Sequence, residues 1–399
     1  MNKQKGNNIL LRNVFRTKEE VWEGRFDWYK KMRAESPILY DENTKIWDIF
    51  LYEDIIQILK NPKVFSSERR NNNIPTSNSI IAMDPPRHKQ MRTLVNKAFT
   101  PRTIQSWTPH IQANIEQLLK KINDKSEFDI VKTIAFPLPL TVIASIIGVP
   151  YSDMDKFREW TLSIVSGPKD NSKESIEENT KRMYQGFKDL SNYFSQIIEK
   201  KRSHPQDDIL SVLIAVEEDS VKLSDKEIIG FSILLLIAGH ETTTNLITNT
   251  MYCFLEDQSV FNQIKQNPDL IPKAIEETLR YRSPVHAIPR IVKEDIVIRG
   301  QTLRAGDEVA LWIGSANRDK NQFDQADEFN LHRTPNSHLA FGSGIHFCLG
   351  APLSRLEANL VLSELVKRFP TMQLKDKMNI EPLQSPLMYG LKSLQVITQ

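Results

Sequence analysis

Phe341-Gly-Ser-Gly-Ile-His-Phe-Cys-Leu-Gly350 is the stretch on which the reading of the fold turns. It holds three of the chain's 14 glycines, in a sequence of 399 residues whose glycine share is about half the usual ~7%. Gly342 and Gly344 permit tight turning, and Gly350 lets a flat group approach the backbone closely. Just downstream, Ala351 to Phe369 carries Leu353, Leu356, Leu360 and Leu365 on one side, the pattern of an amphipathic helix. Cys348 therefore lies immediately before a helix N-terminus. There the unpaired N–H groups and the positive dipole end favour an anionic sulfur. Such a thiolate would serve as a nucleophile or a metal ligand; the plain alternative is a small buried cysteine at a loop-to-helix junction. A nucleophile needs a histidine base, and His346 would serve only if the loop folded back.

Outward from that loop, Ser224-Asp-Lys-Glu227 is a capping box and opens a helical pattern running to about Asp257. At ~1.5 Å per residue this helix is about 50 Å long. Its middle, Ala238-Gly-His-Glu-Thr-Thr243, is a poor helix former, and Gly239 with the Thr hydroxyls would open the hydrogen-bond ladder to water. His240-Glu241 begins like a zinc-protease motif, but the second histidine belongs at position 244, which is Thr244, so that reading fails. A kinked core helix is the plain alternative. Glu277-Thr-Leu-Arg280 places opposite charges on one helix face, by default a surface pair worth ~0.2–0.5 kcal/mol. Met83 to Arg92 opens another helix with proline in its first turn, which sets His88 and Arg92 one turn apart on a basic face.

Taken together these stretches resemble the cytochrome P450 haem-thiolate monooxygenases. Phe341-Gly-x-Gly-x-His-x-Cys-x-Gly350 matches that family's haem-binding signature at every fixed position. The resemblance covers most of the chain, from about Phe26 to the C-terminus, in the motif order of the bacterial soluble branch. It implies a mainly α fold with minor antiparallel β, shaped as a triangular prism, with haem b between the long helix and the cysteine loop. Cys348 would be the axial ligand of the iron. Glu241 and Thr242 would be the catalytic pair: Glu241 carries protons inward, and Thr242 holds the activated oxygen and its waters. His88, Arg92, Arg290 and His346 match the positions that bind the haem propionates. Glu277 and Arg280 match a buried structural pair, with Arg333 as its third member. By position, the substrate pocket would draw on parts of Ser66 to Ala82, on Leu235 and Ala238, on Val285, His286 and Ile288, and on Leu387 with Met388. His286 is the odd polar member, either a substrate contact or a satisfied structural histidine.

The implied reaction is hydroxylation of a lipophilic small molecule, of the fatty acid, terpenoid or steroid class, with O₂ and electrons derived from NAD(P)H. A separate ferredoxin or flavodoxin with its reductase would deliver them. Two rivals belong to other classes: an H₂O₂-driven peroxygenase, and a non-enzymatic haem-binding sensor. Neither would use the Glu241–Thr242 pair.

Composition narrows the rest. With 52 Lys plus Arg against 50 Asp plus Glu, the net charge of +2 gives no nucleic-acid footprint. Two cysteines exclude a disulfide framework and any four-cysteine metal site. The most apolar run, Ile228 to Gly239, falls short of the ~20 residues of a membrane span, and Met1 to Asn8 has no signal-peptide core. No membrane anchor and a cytoplasmic location are the expectations. No Pro/Gly/Ser-rich linker divides the chain, so residues 1–399 read as one domain with a variable N-terminal segment, 1–25. Helical patterns dominate, among them Phe26 to Glu35, Tyr52 to Lys60, Thr103 to Ile122, Ser175 to Lys201 and Ile271 to Arg282. Gly167 to Ser172 reads as a loop. Strand signals are few: Ile46 to Leu51, Ala287 to Val292, a small antiparallel unit of Asp295 to Arg299 and Glu308 to Ile313, and a last pair at Met372 to Leu374 and Leu391 to Ile397.

Overall fold

A computed structural model describes residues 17–68, 75–122, 126–165, 172–215, 217–218, 221–376, 380–385 and 387–398. Residues 1–16 of the N-terminal segment, 69–74 of the Ser66–Ala82 stretch and 167–171 of the expected loop lie outside the described residues. Helix accounts for 59% of the described residues, far above the ~30–35% of an average globular protein, which places the chain in the mainly α class.

Local chemistry sets the helix ends. In the long helix Asp225–Glu256, Ser224 Oγ accepts from the N–H of Glu227 at 3.4 Å while Glu227 Oε2 accepts from the N–H of Ser224 at 2.9 Å, a reciprocal cap. Asp257 ends that helix and caps the next, Gln258–Gln266, by accepting from the N–H of Ser259. The single helix expected over Thr103 to Ile122 is two, Pro101–Ser106 and Thr108–Lys120. Pro109 is the cause. It lacks an N–H and its ring clashes with the carbonyl four residues back, so the first helix stops and a second starts with proline in its first turn.

The main sheet runs in the order Ile38–Asp41, Ile46–Ile49, Glu308–Leu311, Ile288–Val292, Phe65–Ser66. Its pairings are antiparallel except that Glu308–Leu311 runs parallel to Ile46–Ile49. Thus Glu308–Leu311 joins the main sheet, and the partner of Ile296–Ile298 is instead Gln301–Leu303. The two-residue turn explains the preference: Arg299 and Gly300 both have positive φ, the geometry that matches the strand twist of a tight hairpin. Near the C-terminus, Gln373–Leu374 pairs with Gln395–Ile397, which also pairs with Glu127–Asp129.

The chain forms two compact units. One comprises Met1–Ser67, Ile115–Phe136 and Thr242–Gln399; the other comprises Glu68–Asn114 and Pro137–Glu241. The first holds the main sheet and the cysteine loop, around a core that includes Ile49, Ile55, Val309, Leu311 and Ile313. The second is mostly helical, and Phe157, Leu190, Phe194 and Ile198 are buried in it, with Phe157 edge-on to Phe194. Each such side chain contributes ~1.5–3 kcal/mol by leaving water. The long helix passes from one unit to the other between Glu241 and Thr242. Among the described residues no helix is long and apolar enough to cross a membrane.

Candidate active site

The cysteine loop is shaped by its glycines. Gly342 and Gly344 have φ of 71° and 70°, the left-handed region where a β-carbon is strained. A β-carbon on Gly344 would also lie 2.6 Å from the carbonyl oxygen of Leu59. After the short turn Gly344–His346, the N–H of Cys348 donates to the carbonyl of Phe341 at 2.9 Å, closing the loop just ahead of the helix Ala351–Arg368. Cys348 is half-buried and in no disulfide, while the neighbouring Phe347 is exposed. A β-carbon on Gly350 would meet no atom within 4 Å. A thiol aided by a helix N-terminus, beside backbone open to a flat group, fits an iron macrocycle held through sulfur. Among the described residues no group of three or more His, Cys, Asp or Glu side chains is arranged to hold a metal.

Glu241 and Thr242 lie in the middle of the long helix, which stays α-helical throughout; Gly239 and the Thr run do not break it. Instead Thr248 and Thr250 donate to carbonyls four residues back, and Thr243 Oγ1 donates to Ser354 Oγ at 3.2 Å, tying this helix to the one that follows Cys348. Leu234, Leu235, Ile237, Ala238, Glu241 and Thr242 keep some exposure while Leu236, His240 and Thr243 are buried. Between Leu234 and Thr242 the helix thus presents an accessible, largely apolar stripe that ends in an acid and an alcohol. Burial pushes the Glu241 carboxyl up to about 7, so it exchanges protons near neutrality.

Among the other candidates, Arg290 lies buried in the strand Ile288–Val292 and donates to the carbonyl of Pro289, and His346 sits in the turn before Cys348. Both belong to the first unit. His88, buried, and Arg92 are one turn apart on the helix Arg87–Asn96 of the second. Burial and then the charge of Arg92 lower the pKa of His88, which favours a neutral imidazole.

The structure brings Glu277, Arg280 and Arg333 together. Arg280 donates through Nε and Nη2 to the two oxygens of Glu277 at 2.9 and 2.7 Å, and Arg333 Nε lies 3.0 and 3.1 Å from the same oxygens. Both members of the Glu277–Arg280 pair are buried, so the default of an exposed surface pair does not hold here. The spare donors of Arg280 go to the carbonyls of Asn317, Ala326 and Glu328, which pins the chain leading to the cysteine loop.

The pocket candidates divide. Val285, Ile288 and Leu387 are partly exposed, and Val285 forms a β-bridge with Met388. His286 has no exposure at all. Its ring stacks on Tyr389 and its Nδ1 meets Tyr29 and Arg25, the contacts of a structural histidine. The sequence reading missed a second ionic clamp. Arg355 donates to both oxygens of Glu276 at 2.6 and 2.8 Å, His338 Nε2 lies 3.2 Å away, and the guanidinium covers the Phe341 ring at 4.5 Å. Burial alone would raise the Glu276 carboxyl, but Arg355 and His338 hold it at about 2. Its only signal in sequence was the adjacency of Glu276 to Glu277 and of Arg355 to the loop.

Glu241 and Thr242 stand on the long helix, and Cys348 stands half-buried ahead of the helix Ala351–Arg368. The Cytochrome P450 family model matches residues 5–397, and the chain belongs to that family of haem-dependent, iron-containing monooxygenases. It is 44% identical over 371 residues to the putative cytochrome P450 YjiB of Bacillus subtilis, covering 93% of each chain. Among solved structures it is similar to CYP109E1 from Bacillus megaterium in complex with testosterone: 46% identity, TM-score 0.91, 96% of this chain and 100% of that one. The corticosterone complex of the same protein gives 45% identity, a TM-score of 0.88 and the same coverage.

Proposed function

We propose that this chain hydroxylates a lipophilic small molecule, placing one atom of O₂ in a C–H bond while the other leaves as water. The observation that carries the reading is Cys348, half-buried before the helix Ala351–Arg368 with open space at Gly350. Haem b held by that sulfur would supply the activation of O₂. We assign its propionates to His88, Arg92, Arg290 and His346, which offer charged or neutral donors suited to carboxylates. Glu241, its carboxyl near neutrality, takes protons from water and passes them along the helix; the Thr242 hydroxyl accepts and donates at the next position, holding the proton in place. Leu235, Ala238, Val285, Ile288 and Leu387 would present an apolar lining to the substrate. Within the fatty acid, terpenoid and steroid classes, the testosterone and corticosterone complexes of CYP109E1 favour a steroid. Electrons from NAD(P)H would come through a separate ferredoxin or flavodoxin and its reductase, on the side where Cys348 lies, in the cytoplasm where that supply is made.

The reduced, CO-bound absorption spectrum tests this. The expected result is a strongly red-shifted Soret band that Cys348→His abolishes while haem stays bound. Haem-loaded, folded parent protein without that band would overturn the reading.

A further inference from the structure

The segments that carry Val285 and Leu387 are laced together and backed by a buried polar hub that no step above uses. The N–H of His286 donates to the carbonyl of Leu387 at 2.7 Å, and that of Tyr389 to the carbonyl of Pro284 at 2.9 Å. Behind this pair the His286 ring lies 4.6 Å from the Tyr389 ring and nearly parallel to it. Its Nδ1 is 2.9 Å from Tyr29 Oη and 3.3 Å from Arg25 Nη1. A guanidinium only donates, so Nδ1 accepts and the neutral ring carries its hydrogen on Nε2. Burial, with the charges of Arg25 and Arg318, drives the pKa of His286 down and keeps it in that form. Arg25 reaches further: Nη2 donates to the carbonyl of Ser385 at 3.0 Å, and Ser385 Oγ accepts from the N–H groups of Leu387 and Met388.

The hub has no slack. Arg25, Tyr29 and His286 have no exposure. A β-carbon on Gly314 would lie 2.7, 2.8 and 2.9 Å from three atoms of the His286 ring. Groups stripped of water and held by one another favour one arrangement, and shifting any of them forfeits several contacts at once.

We propose that Arg25, Tyr29 and His286 are positioning residues that fix the wall at Val285 and Leu387 and so select among bulky lipophilic ligands. This rests on the pocket reading above. It makes the helix Arg25–Glu35 part of the specificity apparatus, acting through His286 and not by touching the ligand.

Two iron-binding azoles test it by spectral titration of the haem-loaded protein. Imidazole occupies the iron's open position alone, whereas clotrimazole adds three aryl rings that the wall must accommodate. Tyr29→Phe and Gly314→Ala should shift the clotrimazole Kd by roughly fivefold, the order of one net hydrogen bond, and leave the imidazole Kd unchanged. General damage would move both azoles together. Val285→Phe probes the wall itself. If it leaves clotrimazole binding unchanged, the pocket reading fails and takes this inference with it. If Val285→Phe acts but Tyr29→Phe shifts neither azole, or both alike, the positioning role is overturned. Tyr29→Phe decides alone should Gly314→Ala not fold.

Discussion

Glu241 and Glu357 are carboxyls that burial holds near or above neutral pH, at about 7 and about 8. Only the first keeps some access to solvent; Glu357 is enclosed in the helix Ala351–Arg368, and its Oε2 makes no hydrogen bond among the described residues. A carboxyl raised in this way binds a proton in the folded state that the unfolded chain, titrating near ~4.3, has lost. Its stabilising influence is therefore full below that value and declines as pH rises toward about 8. Between pH 6 and pH 9, Glu357→Gln should lose less stability than the parent by ~2–3 kcal/mol, at about 1.4 kcal/mol per pH unit. Urea midpoints at the two pH values measure this, and equal losses would clear Glu357 of the titration. Thr242→Ala makes a different demand. It should bind haem and substrate as before yet divert NADPH electrons to peroxide, seen as a higher ratio of peroxide to hydroxylated product; unchanged coupling would remove Thr242 from proton delivery. At this scale Cys348 was legible because glycine, histidine and cysteine at fixed spacing specify a backbone path. The setting of His286 was not, because its partners Tyr29 and Arg25 lie 257 and 261 residues away.

Elements were legible where local chemistry decides them. The reciprocal Ser224–Glu227 cap starts the long helix, and Asp257 stops it. The break at Trp107 followed from Pro109 as well, yet the apolar stripe through Ile104, Ile111 and Ile115 masked it. Strand partners were less legible, since the choice of neighbour for Glu308–Leu311 is made by packing and not by the turn beside it. The Glu277–Arg280–Arg333 cluster joins a helix to the irregular chain before the cysteine loop. Removing its only acid leaves two guanidinium groups without their carboxylate partner, a loss of ~3–5 kcal/mol for a buried pair. Glu277→Ala should therefore yield little haem-loaded protein, measured as Soret absorbance per folded chain. Full haem loading would show that the loop holds its shape without the cluster.

For the molecule as a whole, near-neutral charge excluded more than it revealed, and the class emerged from motifs spread over most of the chain. The chain passes between its two compact units four times, after Ser67, Asn114, Phe136 and Glu241, the last passage within an unbroken helix. We propose on that ground that they act as one domain. Heating the haem-loaded protein should give one unfolding transition, coincident in the Soret and far-ultraviolet signals; two separated transitions would mean that each unit melts alone. The two thiols carry a last consequence. Cys253 is enclosed and its thiol is pushed up to about 12, whereas Cys348 stands half-buried in its loop. Thiol-selective reagents should therefore reach Cys348 well ahead of Cys253, and their rate at Cys348 reports on how far that loop is covered.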